Sequence, residues 1–338
     1  MKTYTYALLA AAAATGMALG QTAYTTPVGY NTQTLAQGFN VAGLTLQRSA
    51  DAAGNFETVT STTLVDNGVT FAPVAGRTYI VEITSGAQVG SIFEVLASSI
   101  SGSTITVTTV PATDLVALGI VAGDTYKLRV APTLEEVFTT TPLANGGTLA
   151  ASLNIANSDI IWVPNGTGGF DKYFLKTPTP ATFQRITGTN TFVPAPNVPL
   201  VYVDGIYIEK KTSVAAGLTV SGEVKKVGSN STIRQGFNVV SLVAPVGLTL
   251  RTAGLEDDLT KAINAANSDI VWVQQPNLSY AKYYFNSNPT TGGWRDAVTN
   301  VNLPALTDPA LGTSILIEKK LNTVVPLDLN VPASYSNF

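Results

Sequence analysis

Asn157-Ser-Asp-Ile-Ile-Trp-Val163 returns later in the chain as Asn267-Ser-Asp-Ile-Val-Trp-Val273, and this recurrence decides the fold. Working outward, Lys172-Tyr-Phe174 matches Lys282-Tyr-Tyr284, and Ile208-Glu-Lys-Lys211 matches Ile317-Glu-Lys-Lys320. Upstream, Gly38-Phe-Asn-Val41 matches Gly236-Phe-Asn-Val239. Four blocks in one order mark a duplicated module. The first copy carries far more chain between its Gly-Phe-Asn block and its Asn-Ser-Asp block, so an insertion near residues 48–138 is expected.

The blocks read as strands. Asp159-Ile-Ile-Trp-Val163, Pro199-Leu-Val-Tyr-Val203 and Thr313-Ser-Ile-Leu-Ile317 are short, β-branched or aromatic runs, apolar enough to be buried on both faces. Within the insertion, Arg77-Thr-Tyr-Ile-Val-Glu-Ile83 alternates, and Ser91–Leu96, Thr104–Thr108 and Asp124–Val130 follow at hairpin spacing. A helical turn is expected at Thr133–Phe138, and one short helix per module, at Leu255–Ile263 and near Leu149–Ala156. The expected fold is mainly β, with two related β-sandwich or barrel-like modules. Module 1 comprises residues 38–47 and 139–226, and a small all-β domain, 48–138, interrupts it. Module 2 spans 232–338, and an N-terminal arm, 21–37, precedes the whole.

Residues 1–20 read as a signal peptide. Lys2 supplies the positive start, Ala7–Ala14 an apolar core, and Ala18-Leu-Gly20 small residues before Gln21. No stretch reaches the roughly 18 to 20 apolar residues of a membrane helix, so no transmembrane segment is expected. The expected location is extracellular or on the outer cell surface. With Lys2 removed from 19 basic residues, 18 face 22 acidic ones, a net charge of −4. That gives no electrostatic footprint for nucleic acid. Charged residues make up 12% of the chain, about half the usual share of roughly 25%.

The chain has no Cys and no His, and both methionines, Met1 and Met17, fall in the leader. Disulfide scaffolding, serine and cysteine triads and the common imidazole metal sites are thereby excluded. Carboxylate-only chemistry, such as glycoside hydrolysis, survives, although no paired motif suggests it.

Thr26-Pro-Val-Gly-Tyr30, Thr78–Gly86, Gly123-Asp-Thr-Tyr126 and Thr133–Phe138 resemble an uncharacterised family of signal-bearing, β-rich bacterial envelope proteins. Gly236-Phe-Asn-Val-Val-Ser-Leu242 is also similar to a "Gly-Trp-Asn-Leu-Ile-Ser-Leu-Pro" β-module of secreted bacterial proteins, with Phe237 in place of its Trp. The resemblance implies an exported β-protein and brings no catalytic residues.

Among candidate contact residues, Trp162 and Trp272 sit inside apolar runs and are expected in the core. Trp294, in Thr290-Thr-Gly-Gly-Trp294, lies on a turn, with Phe183 as its counterpart. With Tyr280, Tyr283 and Tyr284 it forms the candidate contact surface, weighed against an ordinary half-buried strand. The repeated Glu-Lys-Lys blocks are expected where a strand leaves the core, the lysines discouraging edge pairing. A sharper reading is a Lys–Asn isopeptide bond with Asp159 or Asp269 as helper acid. Glu256-Asp-Asp258 and Asp66-Asn-Gly68 lack EF-hand spacing, so no metal or cofactor is expected. Asn165, Asn230 and Asn277 head N-glycosylation patterns.

The expected function is that of a non-catalytic structural subunit of a surface filament, sheath or surface layer. Copies would associate through the N-terminal arm, free to donate a strand, or through sheet edges. The alternative is a carbohydrate-binding or adhesive protein that takes a surface glycan.

Overall fold

The computed structural model describes residues 27–337, apart from 109–113, 141–148, 178–181, 214, 245 and 305–306. Residues 1–20, where a signal peptide is expected, lie outside the described residues. The chain is mainly β, in several antiparallel sheets.

It opens with β1 (Val28–Leu35) and β2 (Gly38–Ala42). The chain then runs through β3 (Ala52–Asn55), β4 (Thr58–Val59), β5 (Thr63–Val65), β6 (Thr78–Ile83) and β7 (Ile92–Leu96). β8 (Ile100–Ser101), β9 (Thr104–Thr106) and β10 (Thr125–Val130) follow. These strands form two four-stranded sheets, ordered β3-β10-β6-β7 and β4-β5-β9-β8. Both border one hydrophobic cluster in which Phe56 stacks on Tyr126 with ring centroids 4.5 Å apart. A one-turn helix, α1 (Leu115–Leu118), is capped by the Asp114 side chain and ends at Gly119, whose φ is 98°. At the end of this segment Thr133 and Glu136 form a reciprocal capping box, with Thr133 N 3.0 Å from the Glu136 carboxylate.

The two repeats share one strand order. In the first, β11 (Ile160–Pro164), β12 (Phe170–Lys176), β13 (Thr182–Gly188), β14 (Thr191–Pro194) and β15 (Ile206–Lys210) join β2 in a sheet ordered β14-β13-β12-β11-β15-β2. β16 (Ala216–Glu223) pairs instead with β1. The second repeat begins with β17 (Ser229–Ile233), β18 (Gly236–Ser241), β19 (Ile270–Gln274) and β20 (Tyr280–Asn286). β21 (Gly293–Asp296), β22 (Ser314–Lys319) and β23 (Val325–Leu329) complete it. Here the order is β18-β22-β19-β20-β21, and β17 pairs with β23 as β1 does with β16. Both sheets are open, so neither repeat is a barrel.

Over its described residues, 27–37, the arm is therefore not free. Residues 28–35 are the counterpart of β17, held in the same chain by eight register pairs with β16. The expected helices also shrink, to 3-10 turns at Ile155–Asn157 and Leu255–Asp257. The reason is competition for the backbone: the Asp269 carboxylate accepts from Thr260 N at 2.8 Å, and Asp269 N donates to Thr260 O. Those groups are then withdrawn from helical bonding.

Each Asn-Ser-Asp block ends in a buried carboxylate. Asp159 accepts from Ala150 N (2.8 Å) and Lys211 N (2.6 Å), and faces Lys210 Nζ at 3.6 Å. Asp269 accepts from Thr260 N and Lys320 N (both 2.8 Å) and faces Lys319 Nζ at 3.4 Å. All four charged side chains are buried. Each pair therefore pins the loop before one strand to the end of another. The Gly-Phe-Asn block has its own logic. Gly38 and Gly236 take φ of 108° and 98°, and the Asn two residues on (Asn40, Asn238) bonds back to the turn.

The repeats clasp each other. The Gln274 side chain accepts from Val41 N (3.0 Å) and donates to Phe39 O (2.8 Å), covering the free edge of β2. In return, Gly205 N donates to Val239 O and Ser241 N to Val203 O, covering β18. One hydrophobic cluster runs through both repeats. The 52–130 segment is tied on by charge: Arg129 bridges Glu82 (2.5 Å) and Glu223 (3.3 Å), and Lys225 also pairs with Glu82. The two cations hold the Glu82 carboxyl below its ordinary pKa against the opposing effect of its burial.

Removing the Asp269 carboxylate strands a buried lysine and two backbone donors at once. Asp269→Ala is expected to lower unfolding free energy by about 3–5 kcal/mol in urea titration. Lys319→Met leaves the backbone donors satisfied and is expected to cost clearly less; equal losses would refute the staple.

Candidate assembly edge and aromatic face

β1 is an eight-residue strand, Val28-Gly-Tyr-Asn-Thr-Gln-Thr-Leu35, with no charge and no proline. Its register and one flanking bond fix which backbone groups point where. Val224 N donates to Pro27 O, so the 27/224 pair is hydrogen-bonded and such pairs alternate along the ladder. Glu223, opposite Val28, bonds on its other side to Gln47, as this alternation requires. The N–H and C=O groups of Val28, Tyr30, Thr32 and Thr34 therefore point away from β16. Their side chains are exposed too, Val28 by 74% and Tyr30 by 80%. From the other face, Gln33 anchors the strand, donating to Gly43 O (2.7 Å) and accepting from Thr313 Oγ1 (2.6 Å).

Several other edges are guarded in ways an edge strand needs. β2 and β18 are clasped, β14 ends in Pro194, β21 is four residues with Arg295 and Asp296, and β23 carries Pro326 and Asp328. β7 carries Glu94. β16, the other strand of the β1 sheet, is bonded on its far side to Gln47 through Glu223 at its end, whereas β1 carries no charge, no proline and no such bond among the described residues.

A second feature lies on the outer faces of the two main sheets. Strand parity decides it. Asp159 points inward, so Ile161 does also, and Trp162 must point out. Trp162 and Trp272 are accordingly half-buried at the surface, which corrects the expectation that they pack in the core. Each carries the ammonium of its cross-strand neighbour over its ring, Lys172 over Trp162 and Lys282 over Trp272, both 3.8 Å from the centroid. Phe39 and Phe170 meet Trp162 edge-on, and Tyr207 meets Phe170. In the second repeat Phe237 and Tyr280 meet Trp272 in the same way. The two groups adjoin. Phe170 and Phe237 line one cavity of about 70 Å³, and Tyr280 adds to the effect of burial in pushing the Tyr207 phenol upward.

Of the contact surface expected from sequence, Tyr280 alone is at this face; its hydroxyl is 3.1 Å from Gln274 Nε2. Trp294 is 1% exposed and packs edge-on against Phe285, as its counterpart Phe183 is buried in the first repeat. Parity again explains it: Trp294 pairs with Phe285 on the inward face of β20. Tyr283 is buried on that inner face, and Tyr284 is covered on the outer one, where its hydroxyl bonds to Asn300. Tyr207, Phe39 and Phe237 were missed. Their signal was the repeated Gly-Phe-Asn block and the one-in-two alternation of Tyr207 with Glu209.

The Glu-Lys-Lys blocks divide by the same rule. Lys210 and Lys319 turn inward to Asp159 and Asp269, while Lys211 and Lys320 pair outside with Glu209 and Glu318. The partner of each buried lysine is an aspartate, in place of the asparagine the isopeptide reading required. Asp66 accepts from Tyr126 Oη and Gly68 N, and Asp258 from Asp328 N. Asn165 and Asn277 occupy matching exposed hairpin turns. No three metal-ligating side chains converge among the described residues.

No family model, curated protein or solved structure matches this chain.

Asp204 borders the cavity that Phe170 and Phe237 share. Burial, aided by Glu94, pushes its carboxyl from 3.8 up to about 7. The folded chain thus holds more protons than the unfolded chain between those values. This contribution to stability is fully present below about pH 4 and falls as pH rises towards 7. Asp204→Asn is expected to flatten that fall in denaturation curves taken across the interval; an unchanged pH profile would contradict it.

Proposed function

We propose that the chain is a non-catalytic structural subunit exported to the cell surface or beyond, whose copies join edge to edge through β1. One observation carries the reading. β1 presents four outward N–H and C=O pairs on a strand without charge, proline or bulge, and such a strand is a template for another chain. The surrounding design fits a load-bearing part. Two sandwich-like modules share one core, a small β-domain is inserted at 48–138, and the β2 and β18 edges are closed against each other's repeat. The leader-like start, which contains both methionines, and the absence of Cys agree with service in an oxidising exterior.

The arm thus acts otherwise than a loose donor strand. It is pre-ordered on β16, so joining a neighbour costs little chain entropy. Thr32→Pro removes an outward N–H while leaving the bonds to β16, as proline on an edge can. In sedimentation velocity over a concentration series, the native chain is expected to form oligomers. Thr32→Pro should weaken association about tenfold or more, equivalent to roughly 1.4 kcal/mol, with an unchanged circular dichroism spectrum. A native chain that stays monomeric when concentrated, or a Thr32→Pro chain that assembles equally well, would overturn the proposal.

A further inference from the structure

We infer that the outer aromatic face binds an acidic, carboxylate-bearing polysaccharide along the two repeats. The argument starts from the lysines. Lys127, Lys210, Lys211, Lys225, Lys261, Lys319 and Lys320 each lie within 4 Å of a carboxylate. Lys172 and Lys282 have no such partner among the described residues. Each is instead held over a tryptophan ring, at equivalent positions of the two repeats. A ring quadrupole attracts a cation without neutralising it. The face therefore carries the unneutralised Lys172 and Lys282 ammoniums, with Lys176, on the same strand as Lys172, over Phe192. They stand beside the self-paired Glu209–Lys211 and Glu318–Lys320, in a chain whose net charge is −3.

Against each lysine-capped tryptophan stands a half-exposed phenyl ring, Phe39 (47%) on Trp162 and Phe237 (44%) on Trp272. The tryptophan faces are already occupied by lysine, so the bare rings are the phenyls. A bare apolar ring and a fixed cation on the same tryptophan suit a pyranose bearing a carboxylate: its C–H face packs on the phenyl and its carboxylate meets the ammonium. Phosphate-rich polymers lack that apolar face. The duplication speaks for a polymer. One such contact is weak, but a chain with recurring carboxylates can engage both repeats, the second contact being intramolecular. This surface is on the main sheets and separate from β1, so the inference stands independently of assembly.

The test measures binding of polygalacturonate to the purified chain by titration calorimetry, at low and moderate salt. Fully methyl-esterified polygalacturonate supplies the rings without charge, and polyphosphate supplies charge without rings. Saturable, salt-weakened binding of polygalacturonate alone is expected. Lys172→Gln or Lys282→Gln should each weaken it about tenfold and the double variant abolish it, while Phe39→Ser weakens it at constant fold. Equal binding of the ester or of polyphosphate, or indifference to the double lysine variant, would overturn the inference. So would no binding to the folded native chain. Carrying out the titration on Thr32→Pro as well separates this result from that of self-association.

Discussion

A buried aspartate that must satisfy two backbone donors and one lysine sets the plan of each repeat. Asp159 and Asp269 each fasten a preceding loop, the start of a central strand and the end of its neighbour. An ionised carboxylate leaves water only when its lone pairs are taken up, and here every partner lies at a fixed register. Once Asp159 is inward, alternation does the rest. Ile161 and Ile208 enter the core, while Trp162, Tyr207 and Glu209 face out. The same parity in the second repeat buries Val271 and Ile317 and turns Trp272 and Glu318 outward. The ion pair itself adds little net stability; its effect is to make any slipped register strand a buried charge.

That constraint also organises the outside of the molecule. Because the two sheets are built alike, each can cover the other's exposed strand, through Gln274 on β2 and the Val203–Gly205 backbone on β18. The ionic cluster of Glu82, Arg129, Glu223 and Lys225 then fixes the 52–130 segment against the strand pair next to it. β1 is left as a firmly anchored strand whose far side is open. An anchored strand with an open far side is what the proposed addition of a further copy would use.

Much of this was legible in the sequence. The repeat gave the strand order its two-fold character, and the alternation in Arg77–Ile83 and Asp124–Val130 located β6 and β10. The Asp114 and Gly119 caps of α1 were visible too and went unread. What failed did so for long-range reasons. β1 finds β16 across 187 residues of sequence at the Thr32–Thr219 contact, so the arm looked unpartnered, although its Tyr-x-Thr-x-Thr alternation was a strand signal. Runs such as Ile-Ile-Trp-Val look buried on both faces until an inward Asp sets their parity. Trp294 looked exposed because its glycine-rich turn hid the inward partner Phe285. The helix expected at Leu255–Ile263 had acids in its first turn, but Asp269 captures its backbone.

The most direct measurement is amide hydrogen exchange of β1, followed residue by residue at low and high protein concentration. The account predicts rapid exchange at Tyr30, Thr32 and Thr34 in dilute solution, and protection at those amides as copies associate. Asn31, Gln33 and Leu35, bonded to β16, should be protected throughout. Outward amides that stay unprotected in the associated protein, or that are already protected in the dilute chain, would contradict it.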